Sequence, residues 1–190
     1  MVMVLADVTA EVAVDVPVAP DAHEVLAAVR AIPDPEIPVV TIESLGILRD
    51  LRLDEAAGEL HAVITPTYSG CPAMQAIEDA IARVCRAHGL RGVVTTQLSP
   101  AWTTDWIGEE AREALRRFGI APPSPSAAGR PVSVSIMARP GGDDADQAVA
   151  CPRCGSHRTT VLSNFGSTAC KALRRCDACG DPFDEFKALS

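Results

Sequence analysis

Seven cysteines supply most of the chemistry available to this chain of 190 residues. Four of them form two C-x-x-C-G pairs, Cys151-Pro-Arg-Cys154-Gly155 and Cys176-Asp-Ala-Cys179-Gly180. Each pair turns two thiolates to one side, and the glycine lets the backbone fold back so that amides approach the sulfurs. Two such knuckles separated by a strand-forming stretch predict a tetrahedral site with four cysteine ligands. Zinc is its expected occupant, and iron is the alternative that uses the same ligands. A region of about 40 residues buries too small a core to fold without the metal.

The other three cysteines need separate readings. Cys170, in "FGSTACKALRRC", is either a small buried residue beside the second knuckle or a spare ligand. Cys85 falls on the apolar stripe of a helix and belongs to the core. Cys71 stands apart, in "VITPTYSGCPAM". Pro72 suits the first turn of a helix, which places Cys71 at the N-cap. There the free backbone N–H groups and the positive end of the helix dipole favour thiolate, the nucleophilic and metal-binding form. Thr65, Thr67 and Ser69 keep the surroundings polar. The plainer reading is packing, since cysteine is among the most buried residue types.

Two carboxylates accompany it. Asp34 and Glu36 flank Pro35 in a loop stiffened by Pro33, Pro35 and Pro38. They read as a helix stop, or as oxygen ligands or hydrogen-bond acceptors. No histidine has a catalytic setting; a Cys71–His61 dyad is sterically open, but nothing local compels it. No glycine-rich phosphate loop and no nucleophile elbow occur.

Secondary-structure signals then place these residues. Asp21 and Glu24 form a capping pattern ahead of Val25, Leu26, Val29 and Ile32 on one helix face. Strands follow over "ILRDLRL" and "ELHAVIT", joined by "DEAAG". A second helix carries Met74, Ile77, Ile81, Val84 and Cys85 at helical spacing and closes at Gly89. After a third strand, "GVVTTQL", a helix starting near Thr103 or Thr104 ends at Gly119. The result is a two-layer α+β domain with the order α-β-β-α-β-α. Residues 1–20 read as a loose leader, 21–120 as this domain, 121–150 as a linker with one short strand at "VSVSIM", and 151–190 as the ribbon. Trp102 and Trp106, four residues apart, belong to the core or offer one anchor for a partner.

Composition sets the outer limits. The hydrophobic share of 47% supports a real core, and the net charge of −8 argues against a general nucleic-acid binder. Residues 151–190 nonetheless carry six Lys/Arg against four Asp/Glu, a balance of +2, so −10 falls on the remainder. Lys171, Arg174 and Arg175 read as a basic patch, either solvated or ready for an acidic partner or nucleic acid. No long apolar run escapes charge or proline, and the valine-rich start lacks a basic n-region. Together with paired cysteines, this points to a reducing cytoplasm.

"DPEIPVVTIESLGIL" and "ITPTYSGCPAM", in this order of elements, resemble the iron–sulfur cluster assembly family. The resemblance implies a reactive cysteine at Cys71, with Asp34, Glu36 and Thr67 around it, and a transient iron or Fe–S cargo there. "LSPAWTTDWI", "GIAPP", "CPRCGS", "SNFGSTACKAL" and "PFDEFK" narrow the match. With them the chain is similar to the accessory D/J family of the bacterial phenylacetyl-CoA epoxidase system, over roughly residues 21–187. That resemblance implies a non-catalytic protein of aerobic phenylacetate degradation that helps mature or repair metal centres. Its implied partners are the oxygenase and reductase subunits and Fe–S assembly machinery, with no membrane, and it leaves room for a homo-oligomer. This chain has no Glu-x-x-His pairs with which to build a di-iron carboxylate site itself. A thiol-dependent oxidoreductase using Cys71 and a nucleic-acid-binding zinc ribbon are the alternatives.

Overall fold

A computed structural model describes residues 21–68, 70–123 and 149–187. The leader, Ser69, and the "VSVSIM" strand lie outside the described residues. The first element is α1, Ala22–Arg30, capped by Asp21, whose side chain accepts from the His23 amide at 2.9 Å. Strands β1, Leu48–Asp54, and β2, Glu59–Ile64, pair antiparallel. Helix α2, Ala73–Ala87, then crosses to β3, Arg91–Thr96, which pairs parallel to β2. The sheet order is β1-β2-β3, so β2 is central. Its alternation follows from that position: Leu60, Ala62 and Ile64 are buried, while His61 faces solvent.

The expected helix from Thr103 or Thr104 is split. A single 3-10 turn spans Thr104–Trp106, with Thr103 as its cap, and α3 begins only at Glu109 and runs to Phe118. Tertiary contacts explain the break. The Gly108 amide donates to the Ser44 carbonyl at 3.0 Å. The Arg112 guanidinium reaches back to the carbonyls of Thr104 and Ile107. Acidic residues open α3, Arg116 and Arg117 close it, and Gly119 takes the left-handed cap at φ 93°.

Immediately afterwards the chain enters a second sheet. Ile120–Ala121 form β4, although the sequence pattern starts a linker at residue 121. Strands β5, Thr159–Ser163, β6, Lys171–Cys176, and β7, Pro182–Phe186, complete it in the order β4-β7-β6-β5. The β4–β7 pairing is parallel and ties the ribbon sheet to the end of α3. Phe186 and Cys170 are buried in the same apolar cluster as Val25, Ile64, Ile77 and Leu115. Trp102 belongs there too: its indole N–H donates to the Leu45 carbonyl at 3.0 Å, and its ring lies 5.9 Å from that of Phe186. Trp106 is half-buried beneath the Arg49 guanidinium, 3.5 Å from the ring centroid.

The basic run does not form the expected patch. Lys171 and Arg174 are 4% and 8% exposed, and only Arg175 of the three faces solvent. Arg174 is bound by Glu185 of the adjacent strand, and the Lys171 ammonium lies 3.8 Å from the Asp184 carboxylate. The strand is covered on both faces, so its cations are paired inside rather than displayed.

Gly46 marks the tightest backbone approach in the first domain. Its φ is +70°, and a Cβ there would stand 2.6 Å from the Cβ of Trp106. Gly58 has a similar φ of +64° with nothing within 4 Å of a Cβ. Gly46→Ala should therefore cost about 2–4 kcal/mol, against about 1 kcal/mol for Gly58→Ala, measured by denaturant unfolding. Equal losses would show that close packing against Trp106 adds nothing.

Candidate functional site

The turn before α2 holds Cys71 slightly differently from the sequence expectation. Pro72 takes the N-cap position with no side-chain cap, and Cys71 lies one residue before it. The Cys71 amide donates to the Tyr68 carbonyl at 3.2 Å, and its own carbonyl accepts from the Met74 amide at 3.4 Å. Across from it runs the proline-stiffened loop. Asp34 is 6% exposed, and its Oδ1 accepts from the amides of Glu36 at 2.9 Å and Ile37 at 2.8 Å. The loop is closed further by the Asp34 amide donating to the Val40 carbonyl at 2.9 Å. A carboxylate that caps its own turn is rigidly placed, which is what the three prolines around it achieve in the chain.

Four residues singled out in the sequence meet in one cavity. Asp34, Glu36, Thr67 and Cys71 line it, together with the apolar floor of Ile37, Leu45 and Ile77. Its volume is about 10 Å3, room for about one water-sized sphere. Such a space takes an ion or a water and excludes an organic substrate. His61 is not part of it: the imidazole stands on the solvent face of β2, 3.3 Å from Glu59. The Cys71–His61 dyad therefore has no geometric basis.

Cys170 lines the same cavity, as does Phe186. The sequence pattern sets Cys170 beside the second knuckle. It instead lies just before the far end of β6, six residues from Cys176, about 20 Å of extended chain. Its Sγ is 3.0 Å from the Thr168 hydroxyl and 4.0 Å from Glu36 Oε2, a residue 134 positions earlier. No local motif announces such a contact. Its one trace in the chain is that Cys170 is among the three cysteines left over once the two C-x-x-C pairs are assigned.

The electrostatics of the cavity disfavour negative charge. Burial pushes the Asp34 carboxyl up, against the pull of the Ile37 and Glu36 amides. Burial and the neighbouring Asp34 charge do the same to Glu36. Cys71 is raised as well: burial outweighs the Ala73 amide, and the charges of Glu36 and Asp34 add to it. Cys170 is raised by burial, against its bond with Thr168. The thiolate expected from helix-end geometry is thus overridden by desolvation and two carboxyl groups. A cation would offset the cost that burial places on the anionic forms of these groups.

The second candidate site is the ribbon tip. The sulfurs of Cys151, Cys154, Cys176 and Cys179 all lie within 4.8 Å of one another. Cys151 and Cys179 are 3.9 Å apart, and Cys154 and Cys176 are 3.5 Å apart. Four thiolates at about 2.3 Å from a tetrahedral zinc would be about 3.8 Å apart, so the donor set fits. The knuckles are built alike. The Gly155 amide donates to the Cys151 carbonyl and the Gly180 amide to the Cys176 carbonyl, each at 2.9 Å. Both glycines have positive φ, 73° and 83°. The crowded sulfurs divide their protons unequally. The Cys179 and Ala178 amides help bring Cys176 down to about 6. Cys179 is pushed up to about 12, its Asp181 amide bond outweighed by desolvation among the crowded sulfurs and by its contacts with Cys176, Cys154 and Cys151.

Comparison with known proteins divides the chain in the same way. The family described as "Iron-sulfur cluster assembly protein" matches residues 22–97, and the "PaaD zinc beta ribbon domain" matches residues 138–187. A curated Escherichia coli (strain K12) protein, named as the putative D component of 1,2-phenylacetyl-CoA epoxidase, is 46% identical over 172 residues, 90% of this chain and 94% of its own. Among solved structures, a Bacillus anthracis domain of unknown function, DUF59, is 26% identical with a TM-score of 0.44. That match covers 49% of this chain and 89% of that one. A Mycobacterium tuberculosis protein associated with Fe–S complex assembly and repair is 28% identical with a TM-score of 0.31, over 51% and 84% of the two chains.

The raised Cys71 thiol has a direct consequence for reactivity. Site-resolved alkylation of Cys71 by iodoacetamide should reach half its limiting rate at a higher pH than that of free cysteine measured alongside. A rate that levels off below neutral pH would show that the helix end wins over burial.

Proposed function

The chain belongs to the D-component family of phenylacetyl-CoA epoxidase, with an iron–sulfur cluster assembly domain and a zinc ribbon, and from that membership we propose that it is a non-catalytic accessory protein. Its task is to hand iron or an Fe–S cluster to the oxygenase or reductase of the epoxidase system, working in the cytoplasm. Cys71 is the working sulfur. Asp34 orders the loop opposite it, Glu36 offers a carboxylate oxygen and Thr67 a hydroxyl. The observation that carries this reading is the cavity of about 10 Å3 in which a thiol and two carboxyl groups converge. A site of that size suits a metal ion in transit better than an organic substrate of an oxidoreductase. The nucleic-acid alternative loses its main support with the burial of Lys171 and Arg174.

In this reading residues 21–120 form the delivering domain and residues 151–190 the scaffold, with zinc held by Cys151, Cys154, Cys176 and Cys179. The bound metal would neutralise four crowded sulfurs and hold β5, β6 and β7 in register at their cysteine-bearing end. Within the described residues no helix is long and apolar enough to cross a membrane.

Two measurements test the proposal. Cys71→Ser should leave the fold and zinc content intact while a co-expressed reductase loses cluster occupancy. Full occupancy together with full epoxidase activity in that variant would sink the mechanism. Metal analysis of anaerobically purified protein should find one zinc per chain and no visible colour. A thiolate-to-iron charge-transfer band would reassign the ribbon to iron.

A further inference from the structure

We propose that Cys170, carried by the ribbon sheet, is the second thiolate of the Cys71 site, so that Cys71, Cys170 and Glu36 together bind one ferrous ion. The proposal rests on the reading of Cys71 as the working sulfur and adds to it a ligand from the other domain. Both cysteines line one cavity with Glu36, and that cavity has the volume of a single small ion. The Cys170 Sγ to Glu36 Oε2 distance is 4.0 Å. A sulfur at about 2.3 Å and an oxygen at about 2.1 Å from one tetrahedral ion stand about 3.6 Å apart, so these two donors are nearly in place.

Packing accounts for only part of this arrangement. Cys170 is buried in the apolar cluster, but its sulfur also meets the Glu36 carboxylate and the Thr168 hydroxyl, contacts that filling space does not require. The nearby Lys171 ammonium lies 3.8 Å from Asp184, so it is held by a carboxylate of its own sheet. The three donors are not all within 4.8 Å of one another, as the four ribbon sulfurs are. With Cys170 and Glu36 4.0 Å apart, the sulfur that must move to complete the set is that of Cys71. Two thiol protons leave to solvent as the metal–sulfur bonds form, and no electron changes hands. Two thiolates and one carboxylate suit a borderline divalent ion such as Fe2+ and disfavour Mg2+ and Ca2+, which take oxygen donors.

Cobalt(II) added anaerobically to the full-length, zinc-loaded chain is the probe, with retained zinc measured in the same samples. Wild-type protein should bind one additional cobalt with a sulfur-to-metal charge-transfer band. Cys170→Ser should keep its zinc, lose about half of that band and bind cobalt at least about tenfold more weakly. An unchanged band and affinity in Cys170→Ser, with both lost in Cys71→Ser, would overturn the role of Cys170 and leave the Cys71 reading standing. No change in either variant would overturn both. If Cys170→Ser fails to retain zinc, alkylation of the wild-type chain decides. Cobalt should protect Cys71 and Cys170 together from N-ethylmaleimide, and Cys170 reacting equally fast with and without cobalt would refute the proposal.

Discussion

The ring of Phe186 lies 5.9 Å from that of Trp102, whose indole is fixed to the Leu45 carbonyl, and the placing of the ribbon depends on this contact. Phe186 ends β7, and β7 pairs with both β4 and β6. Seating one ring in the first domain's core therefore sets the position of three strands. Beyond the burial of a large aromatic, worth about 2–3 kcal/mol, the contact carries a geometric consequence. The chain just ahead of β6 is brought against the loop holding Asp34 and Glu36. The Lys187 amide bonds the Cys170 carbonyl at 3.0 Å, which links the seated end of β7 directly to that cysteine.

The charge pattern around the cavity follows from the same seating. Covering the loop and the start of α2 with the ribbon sheet removes water from Asp34, Glu36, Cys71 and Cys170. Each is shifted toward its protonated form. Lys171 is the positive charge that acts on the two carboxyl groups and on Cys170, and its ammonium lies against Asp184. Desolvated anionic donors facing a cation held elsewhere make a site whose affinity for metal is coupled to loss of protons. The ribbon tip solves a related problem differently. There, paired backbone turns aim amides at the sulfurs, and two of the four cysteines remain exposed.

Separating the two cysteine groups along β6 gives the ribbon two ends with different chemistry. One end gathers four sulfurs within a closed turn pair. The other presents a single sulfur to a different domain. Strand β6 keeps both in place because its cations are buried in ion pairs with β7 rather than solvated. A basic run that looks like a binding surface in the chain is internal wiring in the fold.

Local patterns in the chain were enough for the α+β order, the Asp21 cap, the apolar stripe of α2, the left-handed Gly89 after it, the stop of α3 at Gly119 and the ribbon cysteines. All of these depend on spacing within a few residues, where backbone sterics and hydrogen-bond geometry act directly. The break before α3, the burial of Lys171 and Arg174, the upward shift of the Cys71 thiol and the meeting of Cys170 with Glu36 were decided by tertiary structure alone. Each arises from a contact between segments far apart in the chain, such as Gly108 with Ser44 or Cys170 with Glu36. Desolvation and ion pairing are properties of what covers a residue, and a local pattern does not contain its cover. Residue type and spacing mark the sulfurs able to act, and the docking of the second sheet brings Cys71 and Cys170 into one cavity.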